Sequence, residues 1–138
     1  MMFAVRIAGL GGIFRVQIWM PPAPPDYDSP QAFMRRAGKG GRWRDDLALK
    51  HRSTIFLADY ARLARGNANV LVTHEAPSTH PHGFPALDAL ARKMKAEATF
   101  HGHHHDSLDY AGSWEQLGHW AYGVRFCGIT ALDGTVIR

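Results

Sequence analysis

The stretch that decides the fold runs from residue 69 to residue 105 and has the sequence NVLVTHEAPSTHPHGFPALDALARKMKAEATFHGHHH. The apolar segment Asn69–Thr73 is typical of a buried strand, and Ala98–His101 is typical of the next one. Between them, residues 85–95 carry apolar side chains at helical spacing. Strand, helix and strand form a βαβ unit, which predicts an α/β fold with two neighbouring parallel strands.

Histidines follow both of these strands at their carboxyl ends. His74 comes directly after the first strand, and Gly102-His103-His104-His105 follows the second. A right-handed crossover places both strand ends at one edge, where open α/β sheets build their sites. Borderline divalent metals accept imidazole nitrogen, and histidines two residues apart can reach adjacent positions around a metal. The spacing therefore indicates a candidate metal site.

Length and composition favour one soluble domain. The 138 residues fit one compact domain, which we take as residues 1–138. Hydrophobic residues make up 46% and charged residues 20%, which excludes disorder and coiled coil as descriptions of the whole chain. Its apolar runs are far shorter than the ~20 residues of a membrane span, and no signal-peptide pattern opens the sequence. We therefore expect a cytoplasmic protein with no membrane partner.

The cysteine count limits which disulfides and metal sites are possible, and the net charge bears on whether nucleic acid is a partner. Cys127 is the only cysteine, which excludes an internal disulfide and any multi-thiolate zinc site. The net charge of +4 is modest for a nucleic-acid binder, so it does not favour a nucleic-acid partner.

Outside the βαβ unit the patterns predict short elements. Strands are expected at Phe3–Ala8 and Phe14–Trp19, and helices from Ser29-Pro30 to Arg36 and from Ser53 or Thr54 to about Arg65. After Tyr110, strands at Trp120–Phe126, Cys127–Leu132 and Thr135–Ile137, with a turn at Asp133-Gly134, predict a C-terminal β-meander.

The segments Thr73-His74-Glu75-Ala76-Pro77 and Gly102-His103-His104-His105 resemble the later motifs of the calcineurin-like metallophosphoesterases, Thr-His-x-x-Pro and Gly-His-x-His. Their order, the helix between them and the flanking segments 49–54 and 79–84 are also similar to that family, so the resemblance covers essentially the whole chain. It implies the C-terminal part of a calcineurin-like phosphoesterase domain, folded as a partial α/β/β/α sandwich that contains the βαβ unit and the β-meander.

The resemblance implies a two-metal site that hydrolyses a small-molecule phosphate ester. His74 and His103 would ligate one divalent ion, manganese, iron or zinc, and His105 the other. The candidate substrate contacts are Arg52, His82 and His104. Each has an alternative interpretation. Arg52 would belong to a solvated basic face, His82 would be a solvated loop histidine, and His104 would be an exposed spacer. Glu75 is likewise either a substrate contact or a solvated loop residue.

The earlier motifs of the family, Asp-x-His, Gly-Asp and Gly-Asn-His, do not occur in the sequence. They supply the bridging aspartate, the remaining ligands and the leaving-group histidine, so no catalytic residue is assigned. We expect weak binding of one metal and little activity from a truncated chain, whose origin is a late start codon, a frameshift or a genuine short descendant.

Two other classes of function stay open on the sequence. One is a non-catalytic metal-binding or interaction module descended from such an enzyme. The other is a basic nucleic-acid-binding module, whose affinity would fall steeply with salt and ignore metal. A partial sheet would also expose an unpaired edge, which predicts self-association.

Overall fold

Residues 4–104 and 110–138 are described by a computed structural model, and they form an α/β fold. The strands are β1 (Ile7–Leu10), β2 (Arg42–Trp43), β3 (Asp46–Leu47), β4 (Val70–Thr73), β5 (Ala98–His101) and β6 (Trp120–Gly123). The helices are α1 (Pro30–Ala37), α2 (Leu57–Ala64), α3 (Pro85–Lys93) and α4 (Trp114–Leu117), with 3-10 turns at Lys39–Gly41, Leu49–Ser53 and Ala111–Ser113. Within the described residues, no helix has the length and apolar character needed to cross a membrane.

A four-stranded parallel sheet organises the chain in the order β1-β4-β5-β6. Its register aligns the carboxyl ends of the strands, because Thr73 pairs with Leu10 on one side and with His101 on the other, and His101 pairs with Gly123. Strands β2 and β3 form a separate antiparallel pair. One edge of the parallel sheet therefore collects the residues that follow all four strands.

The βαβ unit forms as predicted. Strand β4, helix α3 and strand β5 follow one another, and β5 has the predicted bounds. Pro85 occupies the first turn of α3, where its missing N–H costs no hydrogen bond. Lys95, in the left-handed region at φ 57°, turns the chain into β5.

The main core lies between one face of the sheet and helices α2 and α3. Leu71 from β4 and Leu90 from α3 are both 0% exposed within this cluster, and burying a leucine stabilises a fold by about 1.5–3 kcal/mol. The Tyr60 hydroxyl of α2 donates a 2.7 Å hydrogen bond to the Ala86 carbonyl, which ties the two helices together. Packing of the apolar side of the βαβ unit therefore holds its strands, and the residues that follow them, in place.

Three elements begin or form differently from the prediction. Strand β1 begins at Ile7, and the predicted strand Phe14–Trp19 is a turn, since the Ile18 and Trp19 amides both donate to the Arg15 carbonyl. Helix α2 begins at Leu57, later than predicted, because the preceding residues form the 3-10 turn 49–53 and Thr54 bridges to Ile13.

The C-terminal region differs from the predicted β-meander. Strand β6 joins the sheet parallel to β5, with the Trp120 amide donating to Glu97 and the Val124 amide donating to His101. Beyond it, residues 129–131 and 135–138 pair in antiparallel fashion around the predicted Asp133-Gly134 turn, with a bridge between Thr130 and Val136. The two-sheet sandwich stays a prediction.

Two buried histidines make the stability of the fold depend on pH. Burial is the main cause that lowers the pKa of His51, and the Lys50 and Arg15 charges lower it further. Burial is also the main cause that lowers the pKa of His119. The unfolded chain therefore binds protons at higher pH than the folded chain, so stability is full above the ordinary pKa of about 6.5 and declines below it.

We expect the free energy of unfolding to fall by up to about 1.4 kcal/mol per pH unit for each of these histidines below about pH 6.5. Urea unfolding between about pH 7.5 and about pH 5.5 measures the slope. The variant His51→Gln removes one titrating group and should make the slope shallower. Equal slopes for wild type and His51→Gln would contradict the assignment.

Candidate metal site at the carboxyl edge of the sheet

Two histidines from neighbouring strands face each other at the carboxyl edge. His74 follows β4 and His103 lies two residues after β5. The His103 amide donates to the His74 carbonyl at 3.0 Å, which holds the two strand extensions together. Their rings lie 4.4 Å apart between centroids, and His103 Nδ1 contacts His74 Nε2. The parallel register therefore brings together the two imidazoles that the sequence predicts there.

A buried carboxylate lies on the other side of His103. Glu75 is 5% exposed, and its Oε1 atom is 3.8 Å from His103 Nε2. Its Oε2 atom accepts a 3.4 Å hydrogen bond from the Phe14 amide. The Thr73 hydroxyl donates to the Glu75 carbonyl at 2.7 Å, which shapes the end of β4.

Burial dominates the electrostatics of Glu75. It raises the pKa of this carboxyl, while the positive field of His103 and the Phe14 amide act in the opposite direction. A carboxylate removed from water in this way favours a cationic neighbour or a protonated imidazole nitrogen.

Further histidines surround this pair. His80 is 5% exposed and stacks on His104, with centroids 4.0 Å apart and the planes 16° from parallel. His101 Nε2 lies 2.9 Å from the Tyr110 hydroxyl beneath them. His82 is at the exposed side, 5.6 Å from the His104 ring.

The donor set fits a borderline divalent metal. Glu75, His103 and His104 each offer a ligand atom, and these atoms lie within 4.8 Å of one another. His74 adds a further imidazole that contacts His103. Imidazole nitrogen with a carboxylate is a donor set that suits zinc and iron, and a buried carboxylate beside a histidine is typical of metal-site architecture.

The structure places the other predicted residues differently. His105 lies outside the described residues. His104 contacts His103, and His82 lies 5.6 Å from the His104 ring, so both adjoin the cluster, and their role as substrate contacts stays a prediction. Arg52 is exposed and pairs with Asp46 Oδ2 at 3.5 Å, in the arrangement of a surface ion pair.

Glu75 is buried against His103, so the structure excludes the solvated-loop alternative that the sequence left open for it. A signal for this was present in the sequence. Alternation along β4 places Leu71 and Thr73 on the core side, and Glu75 continues that period of two.

A cavity of about 600 Å³ opens next to His74. Its wall includes the carboxyl ends of β1, β4 and β5 together with Arg125 and Phe126. A guanidinium beside a histidine cluster provides donors for an anionic group, while the strand residues make the rest of the wall apolar.

Comparison with known proteins gives one relative. No protein-family model matches the chain, and no solved structure matches it. The chain is 46% identical over 105 residues to a Haemophilus influenzae protein described as uncharacterized. This match covers 76% of the chain and 46% of the relative, so the chain spans about half the length of that protein.

Proposed function

We propose that this chain binds a divalent transition metal through His74 and His103 and supplies this part of a metal-dependent phosphoesterase site. The observation that carries the proposal is the pair of imidazole nitrogens, His74 Nε2 and His103 Nδ1, which face each other from the ends of adjacent parallel strands. Imidazole nitrogens are ligands that metals of this class accept, and the carboxyl edge of a parallel sheet is where such folds place their sites.

Glu75 acts as a positioning residue in this proposal. With Nδ1 of His103 directed at His74, the opposite nitrogen Nε2 faces the Glu75 carboxylate, 3.8 Å from Oε1. A carboxylate behind a ligating histidine fixes its ring orientation and tautomer and raises its basicity. The Phe14 amide in turn holds the carboxylate.

Hydrolysis of a phosphate ester is the reaction class that this arrangement supports best. A bound metal supplies Lewis-acid stabilisation of phosphoryl oxygens and an activated water. Arg125 in the adjoining cavity and His104 beside His103 offer donors for the remaining oxygens of a small-molecule phosphate ester. The resemblance of residues 73–77 and 102–105 to metallophosphoesterase motifs supports the same class. The single cysteine agrees with the cytoplasmic location that we propose for it.

The second candidate is a non-catalytic metal-binding module. The absence from the sequence of the Asp-x-His, Gly-Asp and Gly-Asn-His motifs favours it. We expect manganese-supplemented hydrolysis of bis(p-nitrophenyl) phosphate by the purified chain to be near background. Robust turnover would contradict the non-catalytic interpretation and show that the chain is active by itself.

Metal binding itself is tested by titration calorimetry with zinc and with manganese. Wild type should bind, and Glu75→Gln should bind about 10-fold to 100-fold more weakly, the usual cost of losing a carboxylate behind a metal-bound histidine. Glu97→Gln is the matched control, because Glu97 is exposed and precedes β5 at the opposite end of the sheet.

The cobalt-substituted protein separates positioning from direct ligation. If Glu75 only orients His103, the cobalt absorption bands should keep their shape in Glu75→Gln while the affinity falls. Unchanged affinity in Glu75→Gln, or no binding of any of these metals by wild type, would overturn the proposal.

A further inference from the structure

Two exposed tryptophans lie together at the amino-terminal edge of the parallel sheet, opposite the histidine cluster. Trp114 begins α4 and is 44% exposed, and Trp120 begins β6 and is 47% exposed. Their ring centroids are 5.9 Å apart and the ring planes are 51° from parallel, so the indoles are not stacked on each other. Ring surface of both indoles is therefore accessible to a ligand.

The backbone around Gly118 brings the two tryptophans together. Gly118 ends α4 in the left-handed region at φ 78°, and its amide donates to the Trp114 carbonyl at 2.8 Å. The Trp120 amide donates to the Glu97 carbonyl at 2.9 Å, which fixes the start of β6 beside β5. These bonds place the pair before any ligand binds, which lowers the entropic cost of binding.

A cavity of about 420 Å³ opens beside this pair. Besides the two indoles, its wall includes Arg92, Lys95, Glu97 and the buried His119. We call this cavity the tryptophan pocket. Its volume falls within the range of small-molecule sites, about 300–1,000 Å³.

Two cations make the wall of the tryptophan pocket suitable for an anionic group. Arg92 Nη1 donates a 3.1 Å hydrogen bond to the Leu117 carbonyl, which holds the guanidinium at the wall. A guanidinium has five N–H groups, so this bond leaves donors for a ligand. Lys95 is exposed in the turn between α3 and β5. Guanidinium and ammonium groups both bind phosphate, the first as a fork and the second as a point charge.

We propose that the tryptophan pocket binds a nucleoside monophosphate unit, with its base on the indoles and its phosphate on Arg92 and Lys95. Aromatic side chains stack on nucleobases of every type, because each base has a π-face. The Glu97 carboxylate accepts hydrogen bonds from an amino group on the base. Because the pocket adjoins the start of β5 and His103 follows its end, the proposal depends neither on metal binding nor on the reaction class.

Trp43 provides the matched control for a tryptophan beside a cation outside such a pocket. It is 43% exposed on β2, and the Arg44 guanidinium carbon lies 5.2 Å from the centroid of its ring. Neither residue belongs to the wall of the tryptophan pocket. Its loss should therefore leave nucleotide affinity unchanged.

The test is calorimetric titration with adenosine monophosphate and with adenosine, with EDTA present throughout. Wild type should bind both and prefer the monophosphate. Trp114→Ala should weaken both by about tenfold or more, as expected for the loss of a stacking aromatic. Lys95→Gln should weaken the monophosphate by about tenfold and leave adenosine unchanged, since only the monophosphate carries the group that Lys95 contacts. Trp43→Ala should match wild type for both.

A parallel titration with oligoadenylates identifies the source of the nucleotide unit. Affinity that rises with oligomer length and falls steeply with salt would identify single-stranded nucleic acid as the source. Affinity that does not change with length would identify a free nucleotide. Both results support the proposed pocket, and Trp114→Ala should weaken binding in either case.

Three outcomes would overturn the proposal. They are no binding of adenosine monophosphate or oligoadenylate by wild type, binding that Trp114→Ala leaves unchanged, and a Lys95→Gln loss that is the same for adenosine and its monophosphate. Circular dichroism checks that each variant is folded. If Trp114→Ala is not, the Lys95→Gln comparison decides, because Lys95 is exposed. Since EDTA removes metal from every titration, this result is separate from that of the proposed function.

Discussion

Alanine in place of His103 should lower the zinc affinity of the chain by about a hundredfold or more, since losing a ligand costs at least as much as losing the residue behind it. Both nitrogens of this ring are used, Nδ1 toward His74 and Nε2 toward Glu75. Its removal leaves one imidazole of the pair and a buried carboxylate that has lost the ring facing it. Calorimetric titration with zinc at about pH 7.5 measures the effect.

The histidine control for this experiment is His51→Gln. His51 is buried against Phe33 and contacts the Thr54 hydroxyl at 3.1 Å, so it takes no part in the cluster. Its loss should lower stability and leave zinc affinity unchanged in the folded protein. If His103→Ala bound zinc as tightly as wild type while remaining folded, His103 would not be a ligand.

The βαβ unit was predictable because its information is local. Apolar runs of strand length, a helix opened by Pro85 and the histidines after each strand are all visible in the sequence. The meeting of His74 and His103 then follows from parallel pairing, which aligns the two carboxyl ends. The meeting of these two histidines can therefore be predicted without knowing the structure of the rest of the chain.

The environment of Glu75 was not predictable in the same way. Its carboxylate is held by the amide of Phe14, which is 61 positions earlier in the chain. The segment that carries Phe14 is positioned by bonds to the 3-10 turn before α2, where the Ile13 amide donates to the Ser53 carbonyl. Strand periodicity indicates which way Glu75 points, but the partner that buries it comes from a distant loop.

The C-terminal strand shows a related limit. The residues of β6 favour a strand whichever neighbour that strand pairs with. The strands predicted after it in the sequence indicated an antiparallel meander. In the structure, the Leu117 side chain of α4 is 0% exposed and packs with Ala121, so the helix docks on the sheet and returns β6 beside β5. This contact with α4 cannot be read from β6 alone, so the strand sequence did not distinguish parallel from antiparallel pairing.

Alanine at Gly83 should be the most destabilising small substitution that the loop between β4 and α3 can receive. This loop closes on itself, with the Gly83 amide donating to His80 and the Phe84 amide donating to Ala76. A Cβ atom on Gly83 would overlap the Pro77 carbonyl oxygen, a backbone atom that cannot rotate away. We expect a loss of about 3 kcal/mol and a fall in Tm of roughly 10 °C, at the upper end of overpacking effects.

Gly40→Ala is the control, because no heavy atom of the described chain lies within 4 Å of a Cβ atom built there. Thermal unfolding followed by circular dichroism should show it within about 2 °C of wild type, as for an ordinary surface substitution.

The loop between β4 and α3 carries His80, which stacks on His104, so opening this loop at Gly83 should also disturb the histidine cluster. Gly83→Ala should therefore bind zinc more weakly even at temperatures where it is fully folded. If Gly83→Ala lost stability but kept wild-type zinc affinity, the loop would be dispensable to the metal site. If Gly83→Ala kept the wild-type Tm, the closed loop would contribute little to the stability of the fold.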